Sequence, residues 1–161
     1  MKSIALIPPK IVGYWLFRRL NSPKLLPINL TVSVTNRCNS RCKTCNIWKL
    51  YMVNPSLQEK ELKLEEFEKI FESIGAAPYV ITISGGEPYL RQDLSDICIA
   101  ACEYCQPKIL VIPTNATLPN EVKEKTQKIL KKITDTEVIV NISIDGIGHQ
   151  HDEIRGIRGN Y

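Results

Sequence analysis

The period of hydrophobic positions changes several times along the chain, and each change marks out an element. Over residues 28–35 β-branched and apolar side chains alternate with polar ones, the two-residue period of a half-buried strand. Leu64, Phe67, Ile70, Phe71 and Ile74 then recur every three or four positions, which predicts an amphipathic helix. A second strand is predicted over 79–84, a helix over 93–105, a third strand over 108–113, a charged amphipathic helix over 119–133 and a fourth strand over 138–144. Ahead of all these, residues 11–20 read as a short helix with Tyr14, Trp15 and Phe17 among its apolar positions and Arg18 and Arg19 at its end, followed by breakers between Pro23 and Pro27. It either packs on the outside of the domain or lies on a membrane surface. The β-α-β-α-β-α-β order implies parallel strands joined by helical crossovers, an α/β fold. The expected organisation is an N-terminal helix and linker over 1–27 and one α/β domain over 28–161, without internal repeats.

Composition narrows the class. With 43% apolar and 24% charged residues in 161 positions, the chain suits a globular domain and excludes disordered and collagen-like classes. No apolar run reaches the roughly 18 residues of a membrane span, and the short apolar stretch before Pro8 and Pro9 is unlike a signal peptide, so the cytoplasm is the expected compartment. Residues 1–58 hold nine Lys or Arg and no acid, whereas the remainder is net acidic. Such a basic front can meet nucleic acid, anionic lipid or a negatively charged cofactor. Arg37, Arg41, Lys43 and Lys49 sit in or beside a cysteine cluster, and thiolate-ligated metal is anionic; this favours the cofactor over a polynucleotide.

Six cysteines without a secretory signal point to metal or redox use rather than to disulfides. Cys38, Cys42 and Cys45 follow the first strand in a loop rich in Asn, Ser, Arg and Lys, where a pliable backbone can turn three sulfurs toward one centre. Soft thiolates select iron–sulfur clusters or zinc. Three ligands leave one position open, as a catalytic metal requires; the alternative is a structural zinc completed by His149 or His151. Cys98, Cys102 and Cys105 repeat the same spacing, but in a helix-forming run without Gly or Pro. On a helix the first and third would stand ~10 Å apart along the axis. They are expected to be core thiols beside Ile97 and Ala101.

The remaining unusual segments fall at the same predicted rim. Parallel α/β sheets collect ligands at the carboxyl ends of their strands, and there lie the cysteine loop, Gly85-Gly86-Glu87-Pro88, Thr114-Asn115 and Asp145-Gly146. Glycines at 85 and 86 allow close backbone approach and positive φ; Glu87 offers a carboxylate to a cation and Pro88 stiffens the exit. Taken alone, the segment is equally a plain turn.

In combination these motifs resemble the radical S-adenosylmethionine (radical SAM) superfamily, whose marks are a Cys-x3-Cys-x2-Cys loop after the first barrel strand and Gly-Gly-Glu-Pro after the second. The resemblance runs from about residue 29 to 161 and includes Asn115, Ser143-Ile144-Asp145-Gly146 and His151-Asp152-Glu153-Ile154-Arg155-Gly156. Its tone is that of peptide-modifying maturases and molybdenum-cofactor-type synthases. It implies a partial parallel (βα) barrel, a [4Fe–4S] cluster on Cys38, Cys42 and Cys45, and S-adenosyl-L-methionine on the remaining iron. An oxidoreductase chemistry follows, in which a 5′-deoxyadenosyl radical takes hydrogen from a peptide or small-molecule substrate. The resemblance further implies that Gly85, Gly86, Glu87 and Pro88 bind the methionine end, with Gly86 and Glu87 on its amino group. Thr44 would lie over the cofactor, Asn115 would belong to the same site, and Ser143 and Asp145 would meet the ribose. A reduced flavodoxin or ferredoxin would supply electrons, and no nucleic acid partner is expected.

Two departures stand against it. Many members carry an aromatic residue just before the third cysteine, where this chain has Thr44, with Trp48 the nearby aromatic. The family's partial barrel has six strands and four are seen here, so the chain is expected to be the first part of the domain and to be poorly active alone. The competing function is a non-catalytic zinc- or iron–sulfur-binding interaction module.

Overall fold

The structure, a computed structural model, describes residues 7–23 and 25–161. The first helix, α1 (Ile7–Leu20), starts four residues earlier than its apolar pattern, because Pro8 and Pro9 occupy its first turn, where a missing N–H costs nothing. Lys10 Nζ donates to the Ala77 carbonyl at 2.8 Å and Tyr14 Oη to that of Leu26 at 2.5 Å. Ile11, Val12, Trp15 and Leu20 remain exposed. No helix among the described residues is long and apolar enough to cross a membrane.

The strands are β1 (Asn29–Thr35), β2 (Val80–Gly85), β3 (Ile109–Thr114) and β4 (Glu137–Ile142), all parallel and hydrogen-bonded in the order β1-β2-β3-β4. Between β1 and β2 the chain forms a 3-10 turn at Ile47–Lys49, the short helix α2 (Leu50–Val53), a second 3-10 segment at Pro55–Lys60 and α3 (Leu64–Ile74). The later crossovers are α4 (Leu94–Cys105) and α5 (Pro119–Lys132), and α6 (His149–Arg155) follows β4. A strand order that never reverses is that of a barrel wall; a doubly wound sheet reverses and carries helices on both faces.

The strand alternation decides the core. Ile81 and Ile83 of β2 and Leu110 and Ile112 of β3 are fully buried, packed with Phe67 and Phe71 of α3, Ile97, Cys98 and Ala101 of α4, and Ile129 of α5. Beyond this cluster, Ile142, at the end of β4, and Ile144 and Ile147, just after it, stay exposed.

Sequence pattern missed two short helices, α6 and the four-residue α2. Residues 149–155 read as a loop, yet they form α6 between Gly148 and Gly156, both at positive φ. Its seven residues, about two turns, are too few for a visible 3.6-residue period; its exit at Gly156 is a left-handed helix cap that favours glycine.

Candidate metal centre

At the end of β1 the register with β2 shifts between Ser33 and Thr35, and the chain leaves the sheet as the cysteine loop. Its one internal backbone-to-backbone bond is a turn, Cys45 N–H to the Cys42 carbonyl at 3.3 Å. The loop is therefore shaped from outside, at four places. Glu61, from the segment before α3, accepts hydrogen bonds from Thr35 Oγ1, Asn36 N and Tyr51 Oη. Gly86 N donates to the Thr35 carbonyl at 2.8 Å and Glu87 N to the Arg37 carbonyl at 2.7 Å. Asn115 Nδ2 donates to Asn39 Oδ1 and Ser40 Oγ, both at 2.8 Å. Arg41 N and Lys43 N donate to the carbonyls of Arg155 and Ile154, both at 2.9 Å, so the orphan carbonyls of the last turn of α6 find donors in the loop backbone.

The glycine pair also has a use inside the fold. A Cβ on Gly85 would lie 2.2 Å from the Thr35 carbonyl oxygen, and one on Gly86 would lie 2.1 Å from that of Arg37. The space saved by the missing side chains is filled by the backbone of the neighbouring loop. Gly85, at φ +136°, and Gly86 press the end of β2 against the start of the cysteine loop.

Glu87 is 1% exposed. Its Oε1 accepts from Tyr89 N at 3.1 Å and Thr114 Oγ1 at 2.9 Å, and its Oε2 accepts from Asn115 N at 2.7 Å. Burial pushes its pKa above the usual carboxylate range, opposed by the amides of Asn115 and Tyr89, the Thr114 hydroxyl and the charge of Arg155. A carboxylate has about four lone-pair sites, so three protein donors leave one on Oε2.

These attachments enclose a cavity of about 200 Å³ at the carboxyl rim of the sheet. Cys38, Cys42 and Cys45 all line it, with Gly85, Gly86, Glu87, Pro88, Asn115 and Ser143. Thr44 and Asp145 fall outside its lining: both are exposed, and Asp145 pairs with Arg155, Nε to Oδ2 at 2.7 Å. Among the described residues no three His, Cys, Asp or Glu side chains are gathered around a single ion position. The thiols stand around an opening, the arrangement suited to a cluster in which each thiolate takes its own iron. A histidine-completed zinc shell is not what the fold assembles: neither histidine lines the cavity, and buried His151 has Nδ1 on Asp145 N and Nε2 on Asn160 Nδ2.

Two expectations about charge and aromatics change here. None of Arg37, Arg41, Lys43 and Lys49 lines the cavity. Lys43 pairs with Glu153, and Arg41 and Lys49 lie over the Trp48 ring at 5.0 and 5.1 Å. Trp48 itself does line it, and its Nε1 donates to the Cys42 carbonyl at 3.4 Å. The one cation in the lining is Arg155, whose Nη1 lies 3.8 Å from Cys42 Sγ. From sequence Arg155 reads only as a residue able to reach an anionic substrate or to solvate a loop; the structure puts it on α6 against Cys42. Ser40, Ser84 and Thr114 also line the cavity; their places at strand ends and inside the cysteine loop were the available signal.

The second cysteine triad is core. Cys98, Cys102 and Cys105 are buried on α4, with Ile97 and Ala101 fully buried beside them. Burial raises the pKa of Cys98, and that of Cys102 to about 11, so both stay protonated at neutral pH. Cys105 Sγ donates to the Phe71 carbonyl at 3.4 Å. A larger cleft of about 400 Å³ lies at the opposite end of the sheet, between Cys102, Pro107 and Thr136, and has this inert thiol as its only cysteine.

A parallel barrel wall whose first loop brings three thiols against a Gly-Gly-Glu turn defines a class of cluster-binding protein, and comparison with known proteins agrees. Residues 32–161 match the Radical SAM superfamily, and the chain belongs to that family. It is 32% identical over 131 residues to the Fe-coproporphyrin III synthase of Methanosarcina barkeri, covering 80% of this chain and 30% of that protein. It is 34% identical over 132 residues to the pre-heme d1 synthase of Dinoroseobacter shibae, with the same coverage. The fold is similar to that of Streptococcus suis SuiB bound to S-adenosylmethionine, with TM-score 0.66 and 21% identity over 94% of this chain and 33% of SuiB. The chain thus spans about a third of the length of the relatives it matches. Members of the superfamily are enzymes that use a [4Fe–4S] cluster and S-adenosylmethionine.

Proposed function

We propose that the protein of which this chain forms a part is a cytoplasmic radical SAM enzyme, with Cys38, Cys42 and Cys45 as the cluster ligands. One observation carries the reading: of two triads with identical spacing, only this one lines a rim cavity, together with Gly85, Gly86 and Glu87. When bound, the cluster supplies the electron that cleaves S-adenosylmethionine to methionine and a 5′-deoxyadenosyl radical, which takes hydrogen from the substrate.

The chain's residues hold and orient. Gly86 and the free lone pair of Glu87 Oε2 receive the methionine ammonium, and Ser143 meets the ribose from the end of β4. Gly85, Pro88 and Asn115 act on the cysteine loop, the first two by seating the Gly-Gly-Glu turn and the third by clasping Asn39 and Ser40. Asp145 serves this site through Arg155, and Thr44 lies on the exposed side of the loop. The helix and linker of the described residues up to 27 precede the core domain, whose first part is 28–161. The electron donor is a reduced flavodoxin or ferredoxin. The substrate is a peptide; the fold similarity to SuiB, also solved with its precursor peptide SuiA (TM-score 0.64, 22% identity, 94% of this chain and 32% of SuiB), supports that choice.

Anaerobic reconstitution with iron and sulfide tests the reading. The expected result is brown protein with close to four irons per chain, for the chain alone, and 5′-deoxyadenosine formed by the full-length protein under reductant. Colourless protein holding one tight zinc would overturn it.

A further inference from the structure

We infer that Arg155 is a positioning residue that sets the reduction potential of the cluster site by holding its guanidinium against the Cys42 sulfur. The inference rests on the cluster reading of the cysteine loop and goes beyond it.

Four observations converge on this side chain. It is the only cation among the described residues lining the cavity, and its Nη1 stands 3.8 Å from Cys42 Sγ. It is held in place: Nε pairs with Asp145 Oδ2 at 2.7 Å, and the side chain is 15% exposed. Asp145 is in turn fixed, since its backbone N–H donates to Nδ1 of buried His151 at 3.1 Å. The main chain of the same residue is bonded to the loop it faces, the Arg155 carbonyl accepting from Arg41 N at 2.9 Å. Helix and loop therefore move as a unit, and the guanidinium keeps its place beside the sulfur without ordering a free side chain on each binding event.

The electrostatic sign follows. Reduction adds one electron to an already anionic, thiolate-ligated centre, so a fixed cation at a ligand sulfur favours the reduced form. Net charge and hydrogen bonds to the sulfurs are the levers by which proteins set such potentials. Arg155 raises the potential, and Asp145, on the far side of the guanidinium, offsets part of that effect. The two residues form a dipole with its positive end on Cys42.

The test is a potentiometric titration of the anaerobically reconstituted full chain, followed by cluster absorbance and electron paramagnetic resonance without substrate. Arg155→Gln is expected to keep its iron and to lower the reduced-to-oxidised ratio about tenfold at a fixed poise, which is 59 mV for one electron. Arg155→Lys should restore most of the shift, and Asp145→Asn should shift the potential the other way. If Arg155→Gln takes up no iron, the signs of the Lys and Asn variants decide. Equal potentials in iron-loaded wild type and Arg155→Gln, or shifts of the same sign for Arg155→Gln and Asp145→Asn, overturn the inference. A wild-type chain that binds no iron sinks the cluster reading instead, a different outcome from loaded protein with unmoved potentials.

Discussion

Gly86→Ala probes the joint between the two motif loops with one carbon atom. The new Cβ would sit 2.1 Å from the Arg37 carbonyl oxygen, 2.6 Å from its carbonyl carbon and 3.0 Å from the Asn36 carbonyl oxygen. All three are backbone atoms, so no side chain can swing away. Gly86 is not among the glycines at positive φ, and the cost is steric alone. Overpacking of this kind costs ~1–3 kcal/mol, and moving the loop away strains the Glu87 N to Arg37 carbonyl bond, about 1 kcal/mol more. At about 2–4 °C per kcal/mol for a chain of this size, the melting temperature should fall by roughly 5–15 °C. Gly148→Ala is the comparison: nothing lies within 4 Å of its Cβ, so it carries only the backbone strain of φ +54° and ψ −126°, about 1–3 kcal/mol, without a clash. Differential scanning calorimetry on both variants reads the difference, and iron per chain after reconstitution should drop for Gly86→Ala because Arg37 adjoins Cys38. If Gly86→Ala melts within about 2 °C of wild type, or keeps as much iron as Gly148→Ala, the account of the glycine pair as a loop-to-loop contact is wrong.

Replacing Cys42 by Ala should abolish cluster absorbance after anaerobic reconstitution, while Cys102→Ala should keep it and only lower the melting temperature; the reverse would mean the buried triad holds the iron. Glu87→Gln turns an acceptor at Oε2 into a donor facing the Asn115 amide, and the mispaired buried N–H should cost ~1–3 kcal/mol in urea unfolding at neutral pH. Because burial raises the Glu87 pKa in the fold, the native state holds the extra proton between the unfolded carboxylate pKa and the raised one. The wild-type advantage over the Gln variant should therefore be largest below that window and shrink as pH rises through the raised value; growth in the opposite direction would contradict the cause assigned. Lys43→Ala should leave the melting temperature unchanged within error, since Lys43 and Glu153 are both more than half exposed where they pair.

Much of this protein was decided by its linear sequence. Strand and helix periods over 28–142 needed only the burial of alternate or every third and fourth side chain, a local geometric requirement that survives any tertiary arrangement. The choice between cysteine triads was likewise local in part, because Leu94, Ile97, Ala100 and Ala101 around the second triad favour a helix while Asn36, Asn39, Ser40 and Thr44 around the first favour turns. Tertiary structure decided what depends on contacts between distant segments. That Gly86 packs on the Arg37 carbonyl, which cation faces Cys42, and where the last acceptors of α6 find donors are set by residues some 50 to 110 positions apart. Electrostatic and steric complementarity at that range leaves no periodic trace, which is why the pairing of Arg155 with Cys42 shows only where the loop and the helix meet.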